Sequence, residues 1–168
     1  MAISMYQASA PRFANTLKNL SAILDKAQAH VEARKIDPAV LLASRLYPDM
    51  FPLIRQVQIA SDNAKGAVAR LAGVDVPKYE DTEQTLPELK ARIARTIDFV
   101  SSFKPAQIDG SEDKNIHLKL GPLEVDWKGM QYLLGFALPN FYFHVVTAYD
   151  ILRHNGLEIG KRDYIGNP

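Results

Sequence analysis

Apolar residues recur at steps of three and four along three stretches of the chain, which is the spacing of one side of an α-helix. The first stretch lies within residues 13–31, the second within 53–71 and the third within 86–103. The positions are Phe13, Leu17, Leu20, Leu24, Ala27 and Val31, then Leu53, Val57, Ala60, Ala64, Ala67 and Leu71, then Leu86, Leu89, Ile93, Ile97, Val100 and Phe103. Each stretch predicts one long amphipathic helix.

Two of these helices carry a predicted capping box at their start. Ser4 with Gln7, and Thr85 with Glu88, have the three-residue spacing in which each side chain binds the backbone of the other. Pro11 must then lie close to the first turns of the first helix or kink it.

The connection between the first two long helices contains its own signals. Asp37 before Pro38 predicts a short helix over "DPAVLLASRL", stopped by Pro48. Asp49 is predicted to cap the second long helix, with Pro52 still in its first turn, and Gly73 is predicted to end it.

The period then changes to two, which indicates a β-hairpin around Gly121-Pro122. A two-residue loop would place Lys119 opposite Glu124 and His117 opposite Asp126, two favourable cross-strand pairs. The alternating apolar positions are Ile116, Leu118, Leu120, Leu123, Val125 and Trp127.

A fourth long helix is predicted after a short one over residues 128–136, beginning near Pro139 and ending at Asn155-Gly156. The tail "LEIGKRDYIGNP" is expected to pack back across the bundle through Leu157, Ile159, Tyr164 and Ile165. The four helices can all bury their apolar stripes when they pack on one another. The sequence therefore predicts an all-α four-helix bundle with a small β-hairpin before the last helix, as a single domain over residues 1–168.

Composition narrows the class of function. The 168 residues include 20 basic and 19 acidic residues and no cysteine, with 47% hydrophobic residues. Near-neutral charge gives no reason to expect a nucleic acid or membrane partner, and the lack of thiols leaves only nitrogen and oxygen ligands for a metal. The N-terminus lacks the features of a signal peptide, and the apolar run at 133–146 is too short for a membrane span. We expect a soluble cytoplasmic protein.

Two polar side chains lie in the apolar run of the fourth helix. Asn140 and His144 are four residues apart and therefore share a helix face. Aromatic and branched neighbours surround His144, so we expect this part of the fourth helix to be buried on every side. Buried polar groups without partners cost roughly 1–3 kcal/mol. Either Asn140, His144, Thr147 and Tyr142 satisfy one another or a buried water, or this face binds a ligand.

The segment "GMQYLLGFALPNFYFHVVTAYDILRHNGLEIG" resembles the last helix of the DinB/YfiT-like metalloenzyme superfamily, and "LYPDMFPLIRQVQIASDNAKGAVARLAG" resembles its second helix. "PNFYFHVVTAYDILRHNG" followed by "GKRDYIG" is similar to a branch known as a domain of unknown function. The resemblance covers most of the chain and implies the same order of helices.

The superfamily pattern holds a divalent metal with three histidines, one on the second helix and two spaced four apart on the last. In this chain the last-helix pair falls on Asn140 and His144, and the second-helix position falls near Gln56, with Gln58 as the other register. Amide oxygens are weak ligands for zinc or nickel. We therefore expect no cofactor, with His144 as the one candidate metal ligand and with Gln56, Asn140 and His144 lining a polar, ligand-binding cavity.

Other charged residues have simpler interpretations. His117 is predicted to be a surface residue, and His30 and His154 lie near helix ends, where the helix dipole favours a cation. Asp62 and Lys65 are interpreted as an exposed pair. The last set is interpreted as a solvated outer face of the third helix: Lys90, Arg92 and Arg95.

Two functions remain open. The first is a bundle that has lost its metal and binds a small polar ligand or a second copy of itself, since the fourth helix looks too apolar for one bundle to cover. The second, implied by the resemblance, is a divergent metal-dependent transferase or isomerase that uses a low-molecular-weight thiol. Catalytic residues are not assigned by the sequence.

Overall fold

The computed structural model describes residues 2–166 and contains four long helices and one hairpin. The helices are α1 (Met5–Ala8), α2 (Ala10–Arg34), α3 (Pro38–Ala43), α4 (Leu53–Ala72), α5 (Leu86–Ser101), α6 (Pro105–Ile108), α7 (Gly129–Tyr132), α8 (Leu138–His154) and α9 (Lys161–Ile165). The strands are β1 (Asn115–Leu120) and β2 (Leu123–Lys128), and a π-helical turn covers Leu133–Ala137. The predicted fold class is confirmed.

The long helices form a closed ring in which α2 packs on α5, α5 on α4, α4 on α8, and α8 on α2. All but one of the eighteen predicted stripe positions are buried, and the other, Ile97, is half-buried against the same core. One cluster of buried apolar residues draws on all four long helices. The stripes face one another because each can leave water only against the others.

Helix starts differ from the predictions at proline residues. Ser4 and Gln7 form the predicted capping box, but it opens the short helix α1, and Ser9 separates that helix from α2, with Pro11 in the first turn of α2. Asp49 does not cap α4. The N-cap is Pro52, whose extended backbone directs the chain into the helix at Leu53.

The other predicted helix ends vary in outcome. Asp37 caps α3 as predicted, but α3 ends at Ala43, where the chain turns extended at Ser44, before the predicted "DPAVLLASRL" segment is complete. Thr85 and Glu88 form the predicted box at α5. Gly73 ends α4 in the left-handed conformation, at φ 75°.

The hairpin has the predicted register. Lys119 pairs with Glu124 and His117 with Asp126, around the two-residue loop at Gly121. Gly121 has φ 60°, a conformation that residues with a side chain rarely adopt.

The last helix is longer than predicted because α7, the π turn and α8 follow one another without a break. In the π turn the Leu138 N–H donates to the Leu133 carbonyl, five residues earlier. Pro139 has no N–H to continue the ladder, and its ring would clash with the preceding turn of a regular α-helix. The wider π turn accommodates this proline inside a continuous helix.

The tail packs back on the bundle as predicted for Leu157 and Ile159, which are buried, and for Tyr164, which is half-buried against the core, whereas Ile165 is 49% exposed. The Asn19 amide donates to the carbonyls of Tyr164 and Ile165, at 3.1 and 2.8 Å. The end of the predicted tail segment, residues 167–168, and residue 1 of the predicted domain lie outside the described residues. None of the helices within residues 2–166 has the length and apolar character needed to cross a membrane.

Candidate functional site

The site lies where α4 and α8 pack against each other. His144 of α8 meets Gln56 of α4, and Asn140 of α8 meets Asn63 of α4. From Asn140 to His144 the residue numbers rise along α8, while those of their partners fall from Asn63 to Gln56 along α4. The two helices are therefore antiparallel there. Two polar pairs thus cross an otherwise apolar helix interface.

His144 is held by a side-chain hydrogen bond that sequence analysis did not anticipate. Its Nδ1 lies 2.7 Å from the Gln56 Oε1, and both side chains are buried, with 8% and 1% of their surface exposed. The Gln56 Nε2 donates to the carbonyl of Phe51 at 2.9 Å. Gln56 therefore presents its oxygen, an acceptor, to the imidazole ring.

This arrangement fixes the tautomer of His144. Because the Gln56 oxygen can only accept, the hydrogen of the neutral ring is on Nδ1, and Nε2 carries a lone pair. Within residues 2–166 no group donates a hydrogen bond to Nε2. In that range two buried side-chain atoms lack both a hydrogen-bond partner and contact with solvent, namely Arg92 Nε and Ser111 Oγ, and Nε2 is not one of them. The Nε2 atom therefore keeps contact with solvent.

The ring is neutral at physiological pH. Burial lowers the pKa of His144 below its ordinary value because the charged form loses hydration in the protein interior. The ring therefore offers a neutral acceptor and carries no positive charge.

Asn140 has a different partner from the one expected. Its Nδ2 donates to the Asn63 Oδ1 at 3.0 Å, and Thr147 donates to the carbonyl of Phe143 at 2.7 Å. The predicted network among Asn140, His144, Thr147 and Tyr142 is therefore wrong. Asn140 and His144 find their partners on α4 instead, and Thr147 finds its partner in the backbone of α8.

Two exposed aromatic residues are connected to this pair, Phe143 to His144 and Phe51 to Gln56. The Phe143 ring contacts the His144 ring edge to face, with centroids 5.3 Å apart, and is 56% exposed. Phe51, whose carbonyl holds Gln56, is 55% exposed. Sequence analysis expected the fourth helix to be buried on every side, which is wrong at Phe143 and at Val146, which is 38% exposed.

The donor set does not fit a three-imidazole metal site. One imidazole is present, its Nδ1 is already bound, and the amides of Gln56 and Asn140 are engaged with other residues. Gln58, the other register, is directed away from His144, towards Arg55 and Glu83. Across residues 2–166, no three His, Cys, Asp or Glu side chains are grouped so that they could hold an ion.

The remaining histidines lie elsewhere. His117 is exposed and its Nδ1 lies 3.0 Å from Asp126 on the hairpin. His154 is exposed in the last turn of α8, and His30 is half-buried near the end of α2. None of them reaches the His144 site through a described contact.

A second polar cluster was missed by the sequence analysis. Arg92 was expected on a solvated face, but its side chain is 1% exposed, and it binds the carboxylates of Asp62, Asp81 and Glu83 at 2.8, 3.0 and 3.1 Å. We call these four residues the Arg92 cluster. Asp81 and Glu83 belong to residues 74–85, the crossover segment that joins α4 to α5.

The cluster also corrects the interpretation of Asp62 and Lys65 as an exposed pair. The two are 2.9 Å apart, but the Lys65 side chain is 6% exposed and its ammonium lies 4.8 Å from the centre of the Tyr79 ring. Burial opposes the charge of Arg92, but Asp62 and Glu83 outweigh it and raise the pKa of Arg92 above its ordinary value. Arg92 therefore stays charged inside the protein.

The family model described as "Domain of unknown function (DUF1993)" matches residues 5–165. Among solved structures, a DinB family member protein from Shewanella denitrificans is 45% identical, with a TM-score of 0.87, and the match covers 97% of this chain and 92% of that one. No curated protein matches the chain.

Proposed function

Because this chain belongs to the DUF1993 family, whose description leaves the function open, we propose a function from the site itself. The protein is a non-catalytic bundle that binds a small polar ligand through His144. The observation that supports this most directly is the Nε2 atom of His144, a neutral acceptor with no donor among the described residues.

The surroundings of Nε2 indicate the kind of ligand. A neutral imidazole nitrogen accepts a hydrogen bond from an O–H or N–H group, and it gives no charge that would attract an anion. The exposed ring of Phe143, which contacts the His144 ring, favours an apolar or aromatic body next to that donor group. A small hydroxyl or amide compound with one flat apolar side satisfies both requirements.

Gln56 and Asn140 have separate roles in this proposal. Gln56 is a positioning residue, because its oxygen holds Nδ1 and thereby keeps the lone pair on Nε2. The Asn140 nitrogen is occupied by Asn63, but its carbonyl oxygen accepts no described hydrogen bond. Asn140 lies one turn from His144, so its oxygen can accept from a second donor of the same ligand.

The test compares two probes of almost the same shape. Phenol has a hydroxyl where toluene has a methyl group, so we expect phenol to bind about tenfold more tightly, the value of one hydrogen bond. Binding is followed by the backbone amide resonances of α4 and α8 during titration, which are present in the natural protein and in the variant alike. In the His144→Phe variant, phenol should bind no better than toluene. Equal binding of the two probes to the natural protein would contradict the proposal.

Elemental analysis separates this proposal from the enzyme that the resemblance implies. Zinc or nickel present at one ion per chain in untagged protein and lost in His144→Ala would support a divergent metal-dependent transferase or isomerase instead. Protein that binds phenol as expected without such a metal would support the proposed ligand site.

The exposed apolar residues favour a second candidate, a homodimer. Phe143 and Val146, three residues apart on α8, and Phe51, just before α4, are all exposed, and exposed apolar surface often marks a protein contact. We expect light scattering at micromolar concentration to give twice the chain mass, and Phe143→Ser to lower it. A single-chain mass for the natural protein would contradict the homodimer.

A further inference from the structure

The crossover segment, residues 74–85, is tied to both helices that it joins. Its Asp81 and Glu83 bind Arg92 of α5, and Glu83 also accepts from the Gln58 Nε2 of α4 at 2.8 Å. The Arg92 Nη1 donates to the backbone carbonyl of Glu80 at 3.1 Å. The segment is therefore fixed by side chains that belong to the helices beneath it.

Asp81 has a second cationic partner that connects the segment with the His144 site. The Arg55 guanidinium of α4 pairs with Asp81, and the same Nη1 donates to the Gln58 Oε1 at 2.8 Å. Arg55 also lies over the ring of Phe51, with its Cζ 5.9 Å from the ring centre. Such a cation–π contact contributes about 0.5–1 kcal/mol at an exposed position.

Phe51 is the residue on which the orientation of Gln56 depends. Its carbonyl accepts the Gln56 Nε2 at 2.9 Å, and the Gln56 Oε1 lies 2.7 Å from the His144 Nδ1. Described contacts thus run from Asp81 through Arg55, Phe51 and Gln56 to His144. Each of them is a hydrogen bond, an ion pair or a cation–π contact.

We propose that the crossover segment is a strap that regulates the His144 site, and that the Asp81–Arg55 pair is its latch. This proposal rests on the proposed function in one respect, namely that His144 is the residue that binds the ligand. When the latch is closed, Arg55 stays over Phe51, and the Phe51 carbonyl keeps Gln56 aimed at His144. When the latch opens, the Phe51 ring loses its contact with Arg55, and the Phe51 carbonyl no longer holds Gln56 in a fixed orientation.

The latch is suited to reversible opening. The side chains of Arg55 and Asp81 are 37% and 38% exposed, and pairs with this exposure contribute little and are screened by salt. The Arg92 side chain is 1% exposed, so its bonds are screened less. The strap can therefore open at Arg55 while it stays attached at Arg92.

The test is a double-mutant cycle that uses Asp81→Asn, Arg55→Gln and the double variant, with no ligand added. The readouts are the His144 ring nitrogen resonances and the backbone mobility of residues 74–85, measured by ¹⁵N relaxation. We expect Asp81→Asn to increase this mobility and to shift the His144 resonances. Arg55→Gln should shift them as well, and the double variant no further than the larger single shift, because both substitutions break the same path.

Lys78→Gln is the matched control, because it removes a charge from the same segment at the exposed Lys78–Glu80 pair, whose side chains are 85% and 69% exposed. It should leave the His144 resonances unchanged. Raising the salt concentration should shift the His144 resonances of the natural protein in the same direction as Asp81→Asn, which tests the latch without any variant.

Two results would overturn the proposal: His144 resonances that do not move in Asp81→Asn, or shifts from the two single substitutions that add in the double variant. Because no ligand is present, these outcomes are independent of whether phenol binds, so a failure of the strap and a failure of the ligand site are distinguishable.

Discussion

His144 owes its chemistry to Gln56, which cannot turn its amide without losing the Phe51 carbonyl. A buried imidazole with an undefined tautomer would present a donor or an acceptor at Nε2. The bond from Nδ1 to Gln56 removes that ambiguity and leaves an acceptor. One amide therefore determines what the site can bind.

Gln56→Glu tests this dependence through the pKa of His144. A carboxylate beside Nδ1 favours the charged ring, so the pKa of His144 should rise above its ordinary value of 6.5, against the lowering that burial causes in the natural protein. An NMR titration of the ring measures it, with Gln56→Met as the control that removes the acceptor without adding charge. An unchanged pKa in Gln56→Glu would contradict the contact.

The same substitution should reverse the pH dependence of stability that His144 contributes. In the natural protein the pKa of His144 is lower in the folded state than in the unfolded state. The stability that His144 contributes is therefore present above the unfolded pKa of about 6.5 and is lost as the pH falls below it. With a raised pKa, the contribution would be present below about 6.5 and lost as pH rises through the folded pKa. Denaturant unfolding at several pH values measures both.

Helix periodicity identified which residues form the core but not where α5 buries charge. Leu86, Leu89 and Ile93 are buried as the stripe predicted, and so is Arg92, which the same reasoning placed in solvent. The periodicity shows which side of α5 faces the bundle core. It does not show that the polar crossover segment folds back over the outer side of α5 and binds Arg92 through Asp81 and Glu83.

Arg92→Met tests whether this buried cluster stabilises the elements around it. The substitution keeps most of the side-chain volume but leaves the cluster's carboxylates without their central cation, which should cost about 3 kcal/mol of unfolding free energy. Lys78→Met, at an exposed pair, should change it by less than about 0.5 kcal/mol. Chemical denaturation compares the two, and similar losses would show that Arg92 is no more important than a surface charge.

Across the whole molecule, the fold could be predicted because four apolar stripes have one economical solution, in which each covers the others. The site could be predicted only in part. His144 stood out as a polar residue in an apolar run, and its register with Gln56 followed from the resemblance. The hydrogen bonds of Asn140 and the position of Phe51 could not be inferred, because they depend on how α4 and α8 meet and on a proline-directed helix start.

The comparison with known proteins identifies the fold of this chain but not its chemistry. The likeness to a solved DinB family member covers nearly the whole chain, and the description of the matching family assigns no function. Function depends on the side chains placed in a fold more than on the fold itself. In this chain, the α4–α8 interface carries one imidazole and three amides where the superfamily pattern has three imidazoles.

The most direct test of the account is the ¹⁵N NMR spectrum of the His144 ring at neutral pH in ligand-free protein, assigned by comparison with His144→Gln. The account predicts a neutral ring with its hydrogen on Nδ1 and an unprotonated Nε2. A ring protonated on Nε2, or on both nitrogens, would contradict it, because His144 would then have no free acceptor to offer a ligand.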